Sequence, residues 1–356
     1  MLGTKNSSMR SRLNTCSKDS QVSWKPKLIL LLAWVYLLAL LTITYFMWSR
    51  FNGHWLLTLF LFSPRWAVAL PLAILLPATL WFRPRLAWFY AVHCAVIVFA
   101  VLGFELRGFQ KLDDAAMKTP VHVLTCNIGG GTLDEEALVA LVRERKINIV
   151  LLQECLPRTA KSFYAKLQWN YKHQHSLAIG SSMELSDHQM VNRPLRRHAR
   201  PPVALDCQVR LPDGEEARFV SVHLPTFRPA LRKMQEFDFI NGPKAMQKQG
   251  QAYRSIVQRL RDHLATIEIP TVLAGDFNVP IESTYYQDYW ASMTNAYSEK
   301  GLGLGYTKFT RLHGIRIDHV LVDECWQVLS TQVGPHLGGD HRPVITKLVK
   351  ISSVEK

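Results

Sequence analysis

An uninterrupted run of 21 uncharged residues, Leu28–Trp48, most constrains what this chain can fold into. Lys25 and Lys27 precede the run and Arg50 follows it. A helix needs about 20 apolar residues to cross the hydrocarbon core of a bilayer. A cleaved signal peptide has a shorter apolar run and a small-residue cleavage site, which this sequence does not show. The run therefore predicts a membrane-anchoring helix.

Further apolar runs follow before residue 107. One covers residues 66–82 and another covers residues 86–104, and both are close to the length of a span. A shorter piece, residues 55–62, is too short to cross a membrane alone. It is expected either to lie at the interface or to extend the second span. Three spans, at about 28–48, 66–82 and 86–104, are the simplest count, with two or four as alternatives.

The positive charge is concentrated before and between these runs. Residues 1–106 carry ten Lys/Arg against two Asp/Glu, a net of +8 out of the formal +14 of the whole chain. Most of these cations lie in the basic tail, residues 1–27, and in the turn after the second span. Since Lys and Arg prefer the cytoplasmic side of short loops, the N-terminus is expected inside the cell. After three crossings the large C-terminal part is then outside, and an even number of spans would reverse this.

The sequence changes character after a polar linker at residues 107–119. Short apolar strands then alternate with helical patterns, which favours a layered α/β fold. A Pro-Asp-Gly turn at residues 212–214 indicates a hairpin. The predicted strands are Val121–Cys126, Ile147–Leu152, Val203–Val209, Arg218–Val222, Pro270–Ala274, Arg316–Val322 and Val344–Val349, and the predicted helices are Leu133–Arg145 and Lys244–Leu264.

Polar side chains cluster at the ends of these strands. Loops at strand ends are held by a rigid scaffold and commonly carry the ligands of layered α/β proteins. Six cysteines are present, but none forms a Cys-x-x-Cys pair or a Cys/His cluster with zinc spacing, so a zinc centre is not indicated. The strand-end residues are Asn127, Glu154, His223, Asp276, Asn278, Asp318, Asp340 and His341.

These residue types suit the hydrolysis of a phosphate ester. Oxygen ligands such as Glu154 and Asn127 suit a hard cation such as Mg²⁺, which would neutralise phosphate charge in the transition state. A carboxylate such as Asp276 can orient or deprotonate the attacking water. An amide such as Asn278 can fix a phosphate oxygen. A histidine held by a carboxylate can stabilise the transition state or protonate the leaving oxygen.

Six short segments, taken in order, resemble the endonuclease/exonuclease/phosphatase superfamily. They are CNI, LLQE, VHLP, LAGDFNVP, RIDHVLV and GGDHRPV, and they span roughly residues 120–350. With hydrophobic spans in front, the layout looks like the bacterial membrane-anchored members of that superfamily. The resemblance implies a four-layered α/β sandwich, in which two central mixed β-sheets are flanked by helices.

On the metal side of the site, the resemblance implies four roles. Asn127 and Glu154 are expected at the metal, with Glu154 as the main ligand. Asp340 is expected beside the metal-and-water cluster. Asp276 is expected to activate the nucleophilic water. The implied cofactor is Mg²⁺, or Mn²⁺ in its place.

On the phosphate side, Asn278 is expected to hold the phosphate. His341 is expected to contact the scissile phosphate and to be oriented by Asp318. His223 matches a second histidine that serves as general acid in nucleases of the group. Some of those nucleases support it with a glutamate on an intervening strand, whereas residues 169–182 of this chain contain no acid.

The sequence leaves three functions open. The first is a membrane-anchored, Mg²⁺-dependent hydrolase of a phosphodiester or phosphomonoester. The second is a DNA or RNA endonuclease, with nucleic acid as its partner. The third is a non-catalytic membrane protein that binds phosphate ligands, although no core carboxylate is lost. The expected location is a bacterial inner membrane, with the catalytic domain, residues 120–350, on the periplasmic side. The sequence does not indicate an oligomeric state.

Overall fold

A computed structural model describes residues 24–49, 54–109, 119–129, 132–192 and 202–351. The basic tail up to residue 23 and most of the expected linker, residues 110–118, lie outside the described residues. The chain forms two compact units. One comprises Met1–Thr42 and Ala67–Ile97, and the other comprises Ile43–Trp66 and Val98–Lys356.

The described residues form helices and strands that alternate along the second unit. Short 3₁₀ turns occur at Arg65–Ala69, Pro84–Leu86 and Arg107–Phe109, and Val96–Val101 is π-helical. The helices are α1 (Trp24–Trp48), α2 (Trp55–Leu61), α3 (Leu72–Phe82), α4 (Phe89–Ala95), α5 (Glu135–Glu144), α6 (Pro157–Leu167), α7 (Arg228–Gln235), α8 (Asn241–Leu264), α9 (Thr284–Trp290) and α10 (Ala296–Lys300). The strands are β1 (Val121–Asn127), β2 (Ile149–Gln153), β3 (Asn170–Gln174), β4 (Leu177–Ser181), β5 (Leu185–Val191), β6 (Ala204–Arg210), β7 (Glu216–His223), β8 (Thr271–Asp276), β9 (Thr294–Asn295), β10 (Lys308–Phe309), β11 (Gly314–Ile315), β12 (Asp318–Val322), β13 (Trp326–Val333) and β14 (Val344–Lys350).

Three helical stretches among the described residues are long and apolar enough to cross a membrane. They are Trp24–Trp48, Arg65–Phe82 and Pro84–Val101, and they correspond in length and composition to the three predicted runs. His93 in the third stretch is buried, and its Nε2 donates to the carbonyl oxygen of Ala33 at 3.0 Å. A polar group in an apolar segment is thereby satisfied within the protein.

Two six-stranded sheets form the centre of the second unit. Their strand orders are β13-β14-β1-β2-β4-β3 and β5-β6-β7-β8-β12-β9. Each sheet contains one parallel pair, β1 with β2 and β7 with β8, and its other pairs are antiparallel. A parallel pair brings two strand ends to the same edge of a sheet, so each sheet contributes two loops to one side of the sandwich.

The sheets pack face to face, and helices cover their outer faces. Side chains such as Val123 and Ile149 of the first sheet meet Phe219 and Val272 of the second in one buried cluster. A second cluster joins α5 and α6 to the outer face of the first sheet, and a third joins α7, α8 and α9 to the outer face of the second. The four layers confirm the predicted sandwich.

Helix α2 belongs to the second unit and packs on its core. It ends at Leu61 and does not run on into the helix that starts at Arg65. Its side chains Trp55 and Leu59, with Phe62, contact the core cluster that joins α8 to the second sheet. The short apolar piece between the first two spans is therefore packed against the same unit as the sandwich.

Candidate active site

The two parallel strand pairs bring four of the predicted residues to one edge of the sandwich. In the first sheet, Asn127 ends β1 opposite Gln153, and Glu154 follows directly. In the second sheet, His223 ends β7 opposite Asp276 at the end of β8. At this edge polar residues replace the apolar residues of the strands. The buried strand pairing ends there, and the loops begin.

The amide of Asn127 joins the carboxylates of both sheets. Its Nδ2 donates to Oε1 of Glu154 at 3.1 Å and to Oδ2 of Asp276 at 3.0 Å. Its Oδ1 accepts from the backbone N–H of Gly129 at 3.0 Å, which fixes the orientation of the amide. Two acidic side chains are thus held around one buried polar group.

A residue that sequence reasoning passed over, Gln153, connects the two sheets beneath this site. Its Nε2 donates to Oγ1 of Thr125 at 3.1 Å and to Oγ of Ser221 on β7 at 3.0 Å. The next residue, Glu154, has a φ of +50°, a region that residues with a Cβ rarely adopt. This backbone turns the Glu154 side chain, 44% exposed, toward the site. The only sequence signal for Gln153 was its place beside Glu154.

A buried polar contact in the site joins Asp318 to His341. Nδ1 of His341 donates to both carboxylate oxygens of Asp318, at 3.1 and 2.9 Å. Burial alone would lower the pKa of His341, but the Asp318 carboxylate and then Asp276 raise it to about 9. The imidazole is therefore protonated at neutral pH, with Nε2 lying 3.8 Å from Oδ2 of Asp276.

Asp276 is a fully buried carboxylate of the site. It lies opposite Asp318 in the antiparallel ladder between β8 and β12. Burial, and after it the neighbouring Asp318 charge, raise the pKa of Asp276. Its Oδ1 accepts from the backbone N–H of Asn278 at 2.9 Å. A carboxylate with a raised pKa is a better proton acceptor near neutral pH.

Asn278 is fixed beside Asp276 by its own amide. Its φ is +56°, which asparagine tolerates better than most residues. Nδ2 donates to the carbonyl oxygen of Leu224 at 2.9 Å, in the loop that follows β7. The side chain is buried and held at the meeting point of β7 and β8.

His223 faces the same carboxylates at longer range. Its Nε2 lies 3.7 Å from Oε1 of Glu154 and 3.9 Å from Oδ2 of Asp276. These are ion-pair distances and exceed those of hydrogen bonds. The side chain is only one-fifth exposed.

Asp340 lies at the rim and turns away from the other acids. Its carboxylate pairs with Nζ of Lys308, a residue that no sequence pattern indicated. Although burial alone would raise it, the Lys308 ammonium holds the pKa of Asp340 below its usual range. Oδ1 of Asp340 lies 4.0 Å from Nε2 of His341. Asp340 thus lies next to the site, and its carboxylate forms an ion pair with Lys308.

The chemistry of the enclosed side chains fits a divalent cation. Ligand atoms of Asp276, Asp318 and His341 lie within 4.8 Å of one another, and all three residues are buried. The carboxylates of Asp276 and Asp318 lie opposite each other on neighbouring strands, and a cation would compensate their charge. Carboxylate and amide oxygens are also the ligands that Mg²⁺ and Mn²⁺ prefer.

Comparison with known proteins gives the same family as the motifs. A model described as the Endonuclease/Exonuclease/phosphatase family matches residues 124–341, more than half of the chain. No curated protein matches the chain in a sequence comparison.

Solved structures of similar fold cover the same part of the chain. The endonuclease/exonuclease/phosphatase from Bacteroides vulgatus has a TM-score of 0.50 at 16% identity, covering 66% of this chain and 100% of that chain. The human Nocturnin catalytic domain with bound sulfate has a TM-score of 0.48 at 15% identity, covering 66% and 96%. D. rerio TDP2 complexed with a single-strand DNA product has a TM-score of 0.47 at 14% identity, covering 65% and 100%. The first of these likenesses shows a shared fold.

Proposed function

This chain belongs to the endonuclease/exonuclease/phosphatase family, and on that premise we propose that it is a membrane-anchored, Mg²⁺-dependent phosphoesterase. The proposed reaction is attack of water on a phosphodiester or phosphomonoester. The observation that carries the proposal is the buried group of Asp276, Asp318 and His341, which lies directly beside Asn127 and Glu154.

Glu154 and Asn127 would hold the cation, with Glu154 as the main ligand. Glu154 offers carboxylate oxygens at the edge of the first sheet, and the buried Asn127 offers Oδ1, which accepts from the Gly129 N–H in this structure. When bound, a divalent cation neutralises charge that develops on the phosphate oxygens. Asp340 would join this ligand set only by giving up its contact with Lys308.

The other side chains account for binding and proton transfer. Asp276 accepts a proton from the attacking water, which its raised pKa favours. Protonated His341 donates through Nε2 to a phosphate oxygen, while Asp318 acts as its positioning residue. Asn278 is held where its amide can meet a second phosphate oxygen. His223 protonates the leaving oxygen from the more exposed side of the pocket.

The proposed location is a bacterial inner membrane with the catalytic domain outside the cytoplasm. Helix α2 follows the first span and packs against the same unit as the sandwich, which follows the third stretch. Between α2 and the sandwich the chain would cross the membrane twice, which returns it to the side on which α2 lies. Three spans in total are therefore consistent with α2 packing in the same unit as the sandwich. The basic tail then supports a cytoplasmic N-terminus. The proposed organisation is a basic tail at 1–27, a transmembrane region at 28–106, a linker at 107–119 and a catalytic domain at 120–350, with α2 as a membrane-proximal part of the catalytic unit.

The activity test uses the full-length chain purified in detergent. It is assayed with Mg²⁺ or Mn²⁺ against phospholipids, small phosphodiesters and phosphomonoesters, DNA and RNA. We expect EDTA to abolish turnover and Asp276→Ala to lower kcat by about 10³-fold or more. Asp262→Ala, an exposed aspartate on α8, is the matched control. An Asp276→Ala protein with full activity would contradict the proposed chemistry.

The same panel separates the substrate classes. A nuclease would bind nucleic acid with an affinity that falls steeply with salt, because phosphate contacts release counterions. Turnover of lipids or small phosphoesters without turnover of DNA or RNA would exclude the nuclease. The topology is tested with a C-terminal reporter that is active only outside the cytoplasm. A reporter active only inside the cell would reverse the proposed placement.

A further inference from the structure

The segment between α7 and α8 carries three large apolar side chains that the core does not cover. In this apolar loop, residues 236–240, Phe237 is 78% exposed, Phe239 is 61% exposed and Ile240 is 73% exposed. The two phenylalanine rings pack edge to face at 6.0 Å, so they form one continuous patch. Phe237 also has a φ of +58°, which bulky residues rarely adopt. The backbone is thus held in a disfavoured conformation that points an aromatic ring at solvent.

Basic side chains surround this apolar loop. Residues 228–248 contain five Lys/Arg and two Asp/Glu, a net of +3, and all five basic side chains are exposed. One acid, Asp238, accepts a hydrogen bond from the backbone N–H of Asn241 at 2.9 Å and so faces the start of α8. The other, Glu236, pairs with Arg232. The basic residues are Arg228, Arg232, Lys233, Lys244 and Lys248.

The chain itself keeps this surface close to the bilayer. The first turns of α8, including Pro243 and Lys244, border a cavity whose other wall is Trp55 and Thr58 of α2. Trp55 follows Trp48, the last residue of α1, by seven positions. A chain spans at most about 3.5 Å per residue, so Trp55 lies within roughly 25 Å of the point where the first span ends. The apolar loop precedes α8 directly and shares this constraint.

We propose that the apolar loop, with the basic residues of α7 and early α8, binds the surface of the membrane in which the chain is anchored. Phe237, Phe239 and Ile240 lie among the headgroups, and the Lys and Arg side chains contact acidic lipid headgroups. An apolar tip flanked by cations is the composition that binds such interfaces.

The same contact would bring the active site to the lipid surface. Helix α7 begins at Arg228, five residues after His223 at the end of β7. Single-stranded nucleic acid also binds aromatic and basic surfaces. An aliphatic side chain such as Ile240 does not stack on bases, and the tether favours the bilayer, so the lipid surface is the partner we infer.

The test places a photo-crosslinking benzoylphenylalanine at Phe239 of the full-length chain. The protein is reconstituted in nanodiscs of phosphatidylethanolamine and phosphatidylglycerol, and lipid adducts are measured by peptide mass spectrometry. Asp213, in the exposed β6–β7 turn, is the matched control, because it lies about 25 Å along β7 from His223. Leu38 in the first span is the positive control. We expect about tenfold more lipid adduct at 239 than at 213.

A charge variant tests the role of acidic lipid. Lys233→Glu with Lys244→Glu changes exposed side chains, so an unchanged melting temperature is expected to confirm the fold. In this background, or in nanodiscs of phosphatidylcholine alone, the adduct at 239 is expected to fall several-fold. Equal adduct at 239 and 213, or crosslinks from 239 to protein or added oligonucleotide in place of lipid, would overturn the proposal. The readout needs no turnover, so it is independent of the proposed hydrolysis.

Discussion

His341 has only one ring nitrogen left for chemistry, because Asp318 occupies the other with both of its oxygens. Replacing Asp318 by Asn keeps the shape and one hydrogen bond but removes the charge that keeps His341 protonated. We expect Asp318→Asn to lower kcat by roughly 10²–10³-fold, with a smaller change in KM. The measurement is steady-state kinetics on the responding substrate, together with the melting temperature of the variant.

Asp340→Asn is the matched control for that prediction. It removes a neighbouring acid that is paired with Lys308 and leaves the contact between Asp318 and His341 intact. We expect kcat to fall by less than about tenfold. Equal losses in the two variants would show that Asp340 contributes as much as the buried pair. Full activity of Asp318→Asn would remove Asp318 from the mechanism.

His319, next to Asp318, predicts a pH dependence of stability. Burial lowers its pKa to about 4, and the neutral ring donates to the carbonyl of Val279 and accepts from Asn295. A lowered histidine pKa means that the unfolded chain binds the extra proton between about pH 6.5 and 4, so stability is present above 6.5 and is lost as the pH falls toward 4. The loss is at most about 3 kcal/mol. Melting temperatures of wild type and His319→Gln at pH 7 and pH 4.5 check this.

Other groups also titrate between pH 7 and pH 4.5. The comparison of wild type with His319→Gln therefore isolates the contribution of His319. We expect the melting temperature of His319→Gln to change less between pH 7 and pH 4.5 than that of the wild type. Parallel pH dependences for the two proteins would show that His319 does not titrate on unfolding.

Much of the site was predictable because its residues follow strands that are largely apolar and buried. The ends of parallel neighbours meet, so Asn127 and Glu154, or His223 and Asp276, could be expected together from order alone. The direction in which the Asp340 side chain points could not be predicted from the sequence. Its partner Lys308 lies 32 positions earlier on a strand of two residues, which leaves no periodic pattern in the sequence.

At the scale of elements, a buried ion pair fixes the segment after α2 to the catalytic unit. Nη1 of Arg65 lies 2.6 Å from Oε1 of Glu282, and both side chains are about 95% buried. Removing one partner leaves a buried charge without compensation, which destabilises proteins by about 3 kcal/mol or more. We expect Glu282→Gln to lower the free energy of unfolding by about that amount. Thermal unfolding of the full-length chain in detergent measures it.

An exposed pair supplies the comparison. Arg107 and Glu299 also join the segment after the spans to the catalytic unit, but at 4.0 Å and with both side chains about half exposed. We expect Glu299→Gln to change stability by less than about 1 kcal/mol. If the two glutamine variants melt alike, the buried pair does not hold the segment in place.

The strands differed in how far they could be predicted, and burial explains the difference. Strands β1, β2 and β8 lie inside the sandwich and are covered on both faces, so they are continuous apolar runs. Strands β3 and β5 are sheet edges with exposed polar residues and carry no such signal. Predicted boundaries also differed by one to three residues, as for Ile147–Leu152 against the observed Ile149–Gln153.

At the scale of the whole molecule, segments that pack together in the catalytic unit are not contiguous in the sequence. The chain forms the first apolar helix, then α2, which belongs to the catalytic unit, then two further apolar stretches, and then the sandwich. From sequence, residues 55–62 looked like interfacial or membrane material because they are apolar. Only the tertiary structure shows that Trp55, Leu59 and Phe62 supply part of the cover over α8 and α9.

This arrangement predicts that the catalytic domain is incomplete without the segment before the second span. A chain truncated to residues 107–356 lacks α2 and Arg65, so Glu282 loses its ion pair with Arg65 and an apolar surface is exposed. Three partly buried apolar side chains contribute less than the roughly 1.5–3 kcal/mol of a fully buried one, and together with the lost ion pair the loss amounts to several kcal/mol. We expect the truncated chain to aggregate or to melt well below the full-length protein.

Restoring the segment is expected to restore stability without any span. Residues 54–65 joined to residues 105–356 by a flexible Gly/Ser linker should give a monomer on size-exclusion chromatography with a melting temperature near that of the full-length chain. The same fusion with Trp55, Leu59 and Phe62 changed to Ser is the control and should behave like the truncated chain. If residues 107–356 alone are monomeric and as stable as the fusion, then α2 does not belong to the catalytic unit. In that case the packing of α2 no longer supports placing α2 and the sandwich on the same side of the membrane.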